Sequence, residues 1–153
     1  MNNGFELRKS DKKGEGIFAT KLFKPGETVM VGIIDKILKE NDAHASQIGK
    51  NEFVLHEGLV NKVNHSCDPN CGIRLNNSGG HDYVAIREIS INEEITFDYA
   101  MGNYRIEYFP KNCMCGAVKC RGTITGWKDL SIETKKVYEN FAAPYLIKLD
   151  AVG

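Results

Sequence analysis

The alternation of apolar and polar positions along the chain predicts many short strands joined by turns. Alternating or β-branched stretches fall, in order, at residues 5–8, 16–19, 28–34, 51–56, 71–75, 82–86 and 95–97. Successive side chains of a strand point to opposite faces, so a period of two is typical of strands buried on one face. Stretches 71–75 and 82–86 flank an Asn, Ser and Gly cluster at 76–80, which predicts a β-hairpin. Elsewhere the period is lost: residues 35–40 favour a helical turn and 41–49 a loop.

A helix is expected near the C-terminal end. Ser131 is a typical N-cap residue, and Ile132, Val137 and Phe141 fall near one face of a helix that begins there. Pro144 is expected to end this helix or to start another turn. The predicted fold is therefore mainly β with a C-terminal helix, and the sequence contains no internal repeat.

Composition narrows the class of protein. A chain of 153 residues suits one domain. Its 20 Lys and Arg residues balance its 20 Asp and Glu residues, which argues against a protein that coats nucleic acid through an excess of cations. No apolar run approaches the roughly 20 residues that span a bilayer, and no signal peptide pattern opens the chain. We therefore expect an intracellular protein with no membrane partner and no direct nucleic acid contact.

Chemically active side chains concentrate in a polar run at 64–71, Asn-His-Ser-Cys-Asp-Pro-Asn-Cys. One interpretation is a polar turn whose side chains bind their own backbone, and the other is a functional site. Downstream, Cys113, Cys115 and Cys120 crowd three thiols together, which favours a metal over free cysteines. Three thiolates are one short of the tetrahedron that structural zinc prefers, so a fourth ligand must come from elsewhere.

Three further segments accompany the polar run: Gly14-Glu15-Gly16-Ile17-Phe18-Ala19, Glu93-Glu94-Ile95-Thr96-Phe97-Asp98-Tyr99 and Cys113-Met114-Cys115-Gly116-Ala117-Val118-Lys119-Cys120-Arg121-Gly122. In this order, from about residue 6 to residue 127, the chain resembles a SET-domain protein lysine methyltransferase with a post-SET zinc motif. The absence of a cysteine-rich segment before Glu6 makes it similar to the small stand-alone type of bacteria and viruses. The resemblance implies small twisted sheets with a pseudoknot. It also implies a SET domain at 1–109, a post-SET zinc segment at 110–128 and a helical tail at 129–153.

The resemblance also implies an activity, the transfer of a methyl group from S-adenosyl-L-methionine to the side-chain amine of a protein lysine, with histones among the substrates. The product of the cofactor would be S-adenosyl-L-homocysteine. Tyr99 would be the catalytic residue and would also contact the cofactor. The other implied cofactor-binding residues are Gly14, Glu15, Gly16, Asn64, His65, Ile124 and Trp127. The implied ligands of one Zn²⁺ are Cys67, Cys113, Cys115 and Cys120, which leaves Cys71 as a buried free thiol.

Phe97 and Tyr104 are expected to line the substrate channel, and Phe rather than Tyr at 97 favours higher methylation states. Packing beneath a loop is the alternative for Tyr104 and its neighbours Tyr108 and Phe109. A place in the core is likewise the alternative for Trp127. No role is expected for the other histidines, His44, His56 and His81.

The expected partner is a protein or histone-tail lysine, and the chain is expected to be a monomer or a homodimer. Its location would be cytoplasmic in a bacterium and nuclear if histones are the substrate. Two other functions remain open: a catalytically silent SET-fold module that binds basic tails, and a zinc-thiolate redox sensor whose cysteines release the metal on oxidation.

Overall fold

The computed structural model describes residues 3–10, 14–42, 44–106 and 113–152, so Tyr108 and Phe109 lie outside the described residues. Within these ranges the chain forms ten strands, two α-helices and three short 3₁₀ helices. The strands are β1 Phe5–Ser10, β2 Gly14–Ala19, β3 Thr28–Met30, β4 Ile34–Leu38, β5 Ser46–Gly49, β6 Glu52–His56, β7 Asn64–His65, β8 Cys71–Leu75, β9 His81–Ala85 and β10 Thr96–Phe97. The α-helices are α1 Ile132–Tyr138 and α2 Pro144–Val152, and the 3₁₀ helices are Gly58–Lys62, Tyr99–Met101 and Trp127–Asp129. The prediction of a mainly β fold with a helical C-terminal part is confirmed.

The strands form three small sheets. β1 and β2 make an antiparallel ribbon, and β4, β6 and β5 make a second sheet in that order. The third sheet has the order β3-β9-β8-β10-β7. In it β8 and β9 form the hairpin predicted from the alternation around residues 76–80.

The short strand β10 lies between the two ends of the polar run. Phe97 pairs in parallel with His65 of β7 on one side and with Cys71 of β8 on the other. Asn70, which is fully buried, ties the connection to this strand: its Oδ1 accepts a 2.9 Å hydrogen bond from Thr96 N. The segment that leads to Tyr99 is thus enclosed by the polar run, which is the crossing that the resemblance to SET domains implies.

Two predicted elements differ from the structure. Residues 35–40 were expected to form a helical turn, but Ile34–Leu38 is a strand paired with β6, with Ile37 opposite Val54. The end of the predicted loop 41–49 forms β5 on the other side of β6. β6 has a partner on each side, and these cross-strand hydrogen bonds outweigh the weak local preferences of both segments.

The C-terminal helices belong to the same hydrophobic core as the large sheet. Pro144 is the first residue of α2, where its missing N–H has no intrahelical partner to lose. Ile73 N of β8 donates a 2.7 Å hydrogen bond to Phe141 O, and Ala143 N donates one of the same length to Met101 O. The helices therefore support the Tyr99–Met101 turn. None of the helices in the described ranges is long and apolar enough to cross a membrane.

Candidate active site and metal centre

Tyr99 begins a 3₁₀ turn directly after β10, next to the polar run. The hydroxyl of Tyr99 donates a 3.1 Å hydrogen bond to Val63 O, one residue before Asn64. The Tyr99 ring packs against Phe97, with centroids 5.0 Å apart, and against the edge of His65 at 5.2 Å. The structure therefore brings the predicted catalytic phenol to the polar run, as the sequence interpretation requires.

The phenol of Tyr99 faces a narrow cavity of about 20 Å³. Phe97, Tyr83 and Val63 form part of its wall. This volume admits one small group. Sequence reasoning missed Tyr83, which it treated only as a strand residue; burial raises the pKa of its hydroxyl well above the usual value, so the hydroxyl stays neutral. Tyr104, predicted to share this channel with Phe97, instead lines a separate and larger cavity.

Asn64 connects β2 with the segment before β10. Its Nδ2 donates hydrogen bonds of 2.8 Å to Glu15 O and to Glu94 Oε2. A Cβ at Gly16 would lie 2.5 Å from Glu94 Oε2 and 3.0 Å from Asn64 Nδ2, so a larger residue there would displace these two side chains. Gly14 has a positive φ of 75° and open space where its Cβ would be. Gly14, Glu15, Gly16, Asn64 and Glu94 form one surface. The sequence analysis gave Glu94 no role, so this residue is added to the predicted cofactor-binding residues.

His65 links the Tyr99 backbone to the cysteine cluster. Its Nδ1 accepts a 3.1 Å hydrogen bond from Tyr99 N, which leaves the ring proton on Nε2. Nε2 lies 3.3 Å from Cys67 Sγ, to which it donates. The buried imidazole therefore fixes the distance between the tyrosine and the first cysteine.

Four cysteines meet beside this histidine. The Sγ atoms of Cys67, Cys113, Cys115 and Cys120 all lie within 4.8 Å of one another, and those of Cys67 and Cys113 are 3.9 Å apart. A tetrahedral zinc with four thiolates has sulfur–sulfur edges of about 3.8 Å, so this set could hold one such ion. Cys71 lies outside the cluster; it is fully buried, as expected, and burial raises the pKa of its thiol to about 12.

The cluster already favours thiolate at one position. Burial opposes ionisation of Cys115, but hydrogen bonds from the backbone of Cys67 and Ala117 outweigh it, and the pKa of Cys115 falls below its usual value. Burial raises the pKa of Cys113. Burial also raises the pKa of Cys67, against which Arg121 N donates a 3.3 Å hydrogen bond to Cys67 Sγ. Such donors stabilise negative sulfur, which is the form that binds a metal.

Asp98, between Phe97 and Tyr99, carries a buried network that the sequence did not reveal. Its carboxylate has no exposed area and accepts bonds from Arg121 Nη2 at 2.9 Å, Tyr138 Oη at 2.9 Å and Ala100 N at 3.0 Å. His65 Nδ1 lies 3.5 Å from the same carboxylate. Burial works against the charge on Arg121, but Asp98 outweighs it and raises the pKa of the guanidinium. Because Arg121 follows Cys120 in the chain, the network joins the cysteine segment to the tyrosine strand.

Ile124 and Trp127, both predicted to bind the cofactor, lie in different environments. Ile124 is half-buried, as a residue at the edge of a pocket would be. Trp127 is 1% exposed and lies in the core, where its indole Nε1 donates a 2.8 Å hydrogen bond to Asp150 Oδ2 of α2. An indole already covered by protein atoms offers no face to a ligand, so we leave Trp127 out of the candidate pocket.

Two known proteins with similar sequences are histone-lysine methyltransferases. Histone-lysine N-methyltransferase Set2 of Drosophila melanogaster is 33% identical over 141 residues, which are 79% of this chain and 6% of that protein. Histone-lysine N-methyltransferase, H3 lysine-36 specific, of Emericella nidulans is 29% identical over 147 residues, which are 83% of this chain and 15% of that protein. The chain thus spans a small part of the length of these relatives.

The fold has solved counterparts. The crystal structure of KRYPTONITE in complex with mCHH DNA, an H3(1-15) peptide and SAH matches 78% of this chain and 29% of that chain, with a TM-score of 0.62 at 22% identity. A comparison with protein families matches residues 14–100 to the SET domain. Because this match covers more than half of the 153 residues, the chain belongs to the SET domain family.

Proposed function

We propose that the chain transfers a methyl group from S-adenosyl-L-methionine to the side-chain amine of a protein lysine. The observation that carries this proposal is the narrow cavity at which Tyr99, Phe97 and Val63 meet, beside the Asn64 surface. Membership of the SET domain family and the activities named for the two methyltransferase relatives support it.

The cavity walls suit the lysine side of this reaction. A lysine with its usual pKa of about 10.4 is a cation and not a nucleophile. The apolar rings of Phe97 and Tyr83 would exclude water and favour the neutral amine. The Tyr99 hydroxyl, held near Val63 O, would align the amine nitrogen by a hydrogen bond. The ammonium proton would leave to solvent before the transfer, and the lone pair of the neutral nitrogen would then bond the methyl carbon as its bond to the sulfonium sulfur breaks.

The cofactor would bind on the surface around Asn64. S-adenosyl-L-methionine supplies the electrophilic methyl carbon and leaves as S-adenosyl-L-homocysteine. The Asn64 amide directs its two N–H bonds to Glu15 O and Glu94 Oε2, and its Oδ1 would accept a hydrogen bond from the amino group of the cofactor. Main-chain groups of Gly14, Glu15 and Gly16 and the backbone of His65 would complete the pocket, with Ile124 at its edge.

One Zn²⁺ would be held by Cys67, Cys113, Cys115 and Cys120, whose sulfur spacing fits a tetrahedral ion. Its chemistry here would be structural, since four thiolates leave no open position. By tying 113–122 to the polar run, this site would hold the post-SET segment over the cavity. The boundaries at 109 and 128 remain part of this proposal.

The expected partner is a protein lysine, with histones as the class suggested by the relatives. The nuclear location follows if histones are the substrate, and the cytoplasmic one if the protein is bacterial. KRYPTONITE was solved with DNA, but the balanced charge of this chain supports no direct nucleic acid contact. A monomer or homodimer remains the expected state.

The test is to incubate the zinc-loaded protein with S-adenosyl-L-methionine and a mixture of histones and other proteins, and to find added methyl groups by mass spectrometry. Tyr99→Phe should lower the rate by about 100-fold, because it removes the aligning hydroxyl. Tyr145→Phe is the matched control, since it also removes one hydroxyl bonded to a carbonyl, that of Gly102, outside the cavity. Cofactor binding with no transfer to any protein would instead indicate the silent module.

A further inference from the structure

The phenol of Tyr83 is a buried group of the narrow cavity that the proposed reaction uses only as an apolar wall. Tyr83 lies in β9, opposite Ile73 of β8, and is 4% exposed. Its ring packs against Phe97 with centroids 4.7 Å apart, and Phe97 packs in turn against Tyr99 at 5.0 Å. Two phenols therefore flank the phenylalanine of the cavity.

The Tyr83 hydroxyl has no hydrogen-bond partner among the described residues. Arg121 Nε is the one fully buried side-chain nitrogen or oxygen without a partner in that part of the chain, so the Tyr83 oxygen still borders open space. Tyr83 lines the narrow cavity, which supplies that space. The other polar side chains of the cavity wall each have a hydrogen-bond partner within the protein; they are His44, Ser46, Asn61, Tyr99 and Asn103.

The Tyr83 hydroxyl keeps its proton. Burial, followed by the nearness of Tyr99 and Cys71, raises the pKa of Tyr83 well above its usual value. A neutral phenol is a hydrogen-bond donor and also an acceptor. The Tyr99 hydroxyl, by contrast, already donates to Val63 O. Tyr83 therefore brings a hydroxyl to a part of the wall where Phe97 offers none.

The size of the cavity limits what can share it with that hydroxyl. Its volume of about 20 Å³ holds about one water-sized group. Each methyl transfer, once the nitrogen has lost a proton, replaces one N–H with a larger N–CH₃ group. To receive a second methyl group, the nitrogen must turn its lone pair back toward the cofactor, which moves the first methyl group into the cavity. An N–H in that position can donate to the Tyr83 oxygen, whereas a methyl group cannot and would leave the hydroxyl without a partner.

We propose that Tyr83 determines the product of the reaction: its hydroxyl accepts an N–H of the substrate amine and limits the product to monomethyl-lysine. This inference rests on the proposed methyl transfer. It differs from the expectation for Phe97, which taken alone favours higher methylation states, because β9 supplies the hydroxyl that position 97 lacks. Tyr83 lies outside the sequence motifs that carry the resemblance to SET domains, so that resemblance gave it no role.

The distribution of products tests this limit. The zinc-loaded wild type and Tyr83→Phe are incubated with S-adenosyl-L-methionine and the mixture of histones and other proteins, and mono-, di- and trimethyl-lysine are resolved by mass spectrometry. The wild type should stop at monomethyl-lysine. Tyr83→Phe should raise the rate of the second transfer relative to the first by about tenfold, the lower end of what one methyl group costs in a confined pocket. Tyr145→Phe, which removes the hydroxyl bonded to Gly102 O outside the cavity, should keep the wild-type distribution.

A binding measurement does not depend on methyl transfer. The small amines n-butylamine and N,N,N-trimethylbutylammonium mimic the end of a lysine side chain with and without N–H groups. Each is titrated by NMR into the zinc-loaded protein with S-adenosyl-L-homocysteine. The wild type should bind the primary amine more tightly, and Tyr83→Phe should reduce this preference about two- to tenfold, the contribution of one hydrogen bond. Tyr83→Phe keeps the ring that packs on Phe97, so it should unfold at a urea concentration no lower than the wild type.

The two measurements separate this inference from the proposed reaction. Di- or trimethyl-lysine as the main product of the wild type, or equal product distributions in the wild type and Tyr83→Phe, would overturn the inference even though lysine is methylated. No transfer by any variant, with the amine preference lost in Tyr83→Phe, would support the contact between Tyr83 and the amine and count against the proposed reaction. An unchanged amine preference in Tyr83→Phe would exclude that contact.

Discussion

The buried pair of Asp98 and Arg121 should be a main determinant of stability at the candidate site. Replacing Arg121 by Met keeps the aliphatic stem and removes the guanidinium. The Asp98 carboxylate would then remain fully buried with hydrogen bonds from Tyr138 and Ala100 but without its cation.

Removing one partner of a buried ion pair costs about 3–5 kcal/mol, because the other charge is left uncompensated. Two features place the expected loss of stability at the lower end of this range. Arg121 is 22% exposed, so water partly screens the pair, and two other donors remain on Asp98. We therefore expect a loss of about 3 kcal/mol in the free energy of unfolding, or a fall of about 6–12 °C in Tm for a chain of this size.

Urea unfolding of the zinc-loaded protein, with metal content measured for each variant, would give this number. Lys119→Met is the matched control, since it removes a cation on the other side of Cys120. Lys119 is 69% exposed and pairs with Asp68 at 3.3 Å on the surface, so its loss should cost below about 1 kcal/mol. Similar small losses in both variants, at equal zinc content, would refute the assignment of Asp98 as a buried ion-pair partner.

Three other perturbations give measurable outcomes. Burial is the main cause that lowers the pKa of His81 from 6.5 to about 4, so protonation of His81 favours the unfolded chain. In urea titrations the free energy of unfolding should therefore fall by up to about 3 kcal/mol as pH drops from 6.5 toward 4. Gly16→Ala places a Cβ 2.5 Å from Glu94 Oε2 and should weaken cofactor binding about tenfold in calorimetry. Cys67→Ala should release zinc and lower Tm, whereas Cys71→Ala should retain zinc in metal analysis.

Each of these has a control or an opposing result. His81→Gln should reduce this pH dependence, and an unchanged slope in that variant would exclude His81 as a source of it. Gly58→Ala, at a positive φ with open space around it, should change stability without changing cofactor affinity. Full zinc occupancy in Cys67→Ala would exclude this cysteine as a ligand.

The sequence predicted strands best where alternating stretches flank a turn signal, as in the hairpin of β8 and β9. It failed at β4, where Asp35, Lys36 and Ile37 are all exposed and Ile37 is 86% exposed. Such a strand exists because β6 offers backbone partners, and no local pattern of its own side chains records that partner. The same absence of a local signal hid β5.

The candidate site divides in the same way. Tyr99, Asn64 and the cysteines could be predicted together because a family resemblance carries information about distant parts of the chain. Asp98 and Arg121 were part of the quoted motifs, but their contact joins positions 23 residues apart, and neither residue type alone indicates it. Trp127 shows the opposite limit: its place after the cysteines suggested a pocket, and only the packing against α2 places it in the core.

Because β10 lies between β7 and β8, the large sheet cannot be completed until the ribosome has synthesised β10. Residues 64–65 emerge well before 96–97, and β7 has β10 as its neighbour in the described sheet. A nascent chain that ends before Thr96 therefore cannot complete the large sheet, and one that ends before Cys120 lacks the last cysteine of the cluster. The proposed methyl transfer would thus begin only after residue 120 has been made, and refolding should be slow because the central pairings join remote segments.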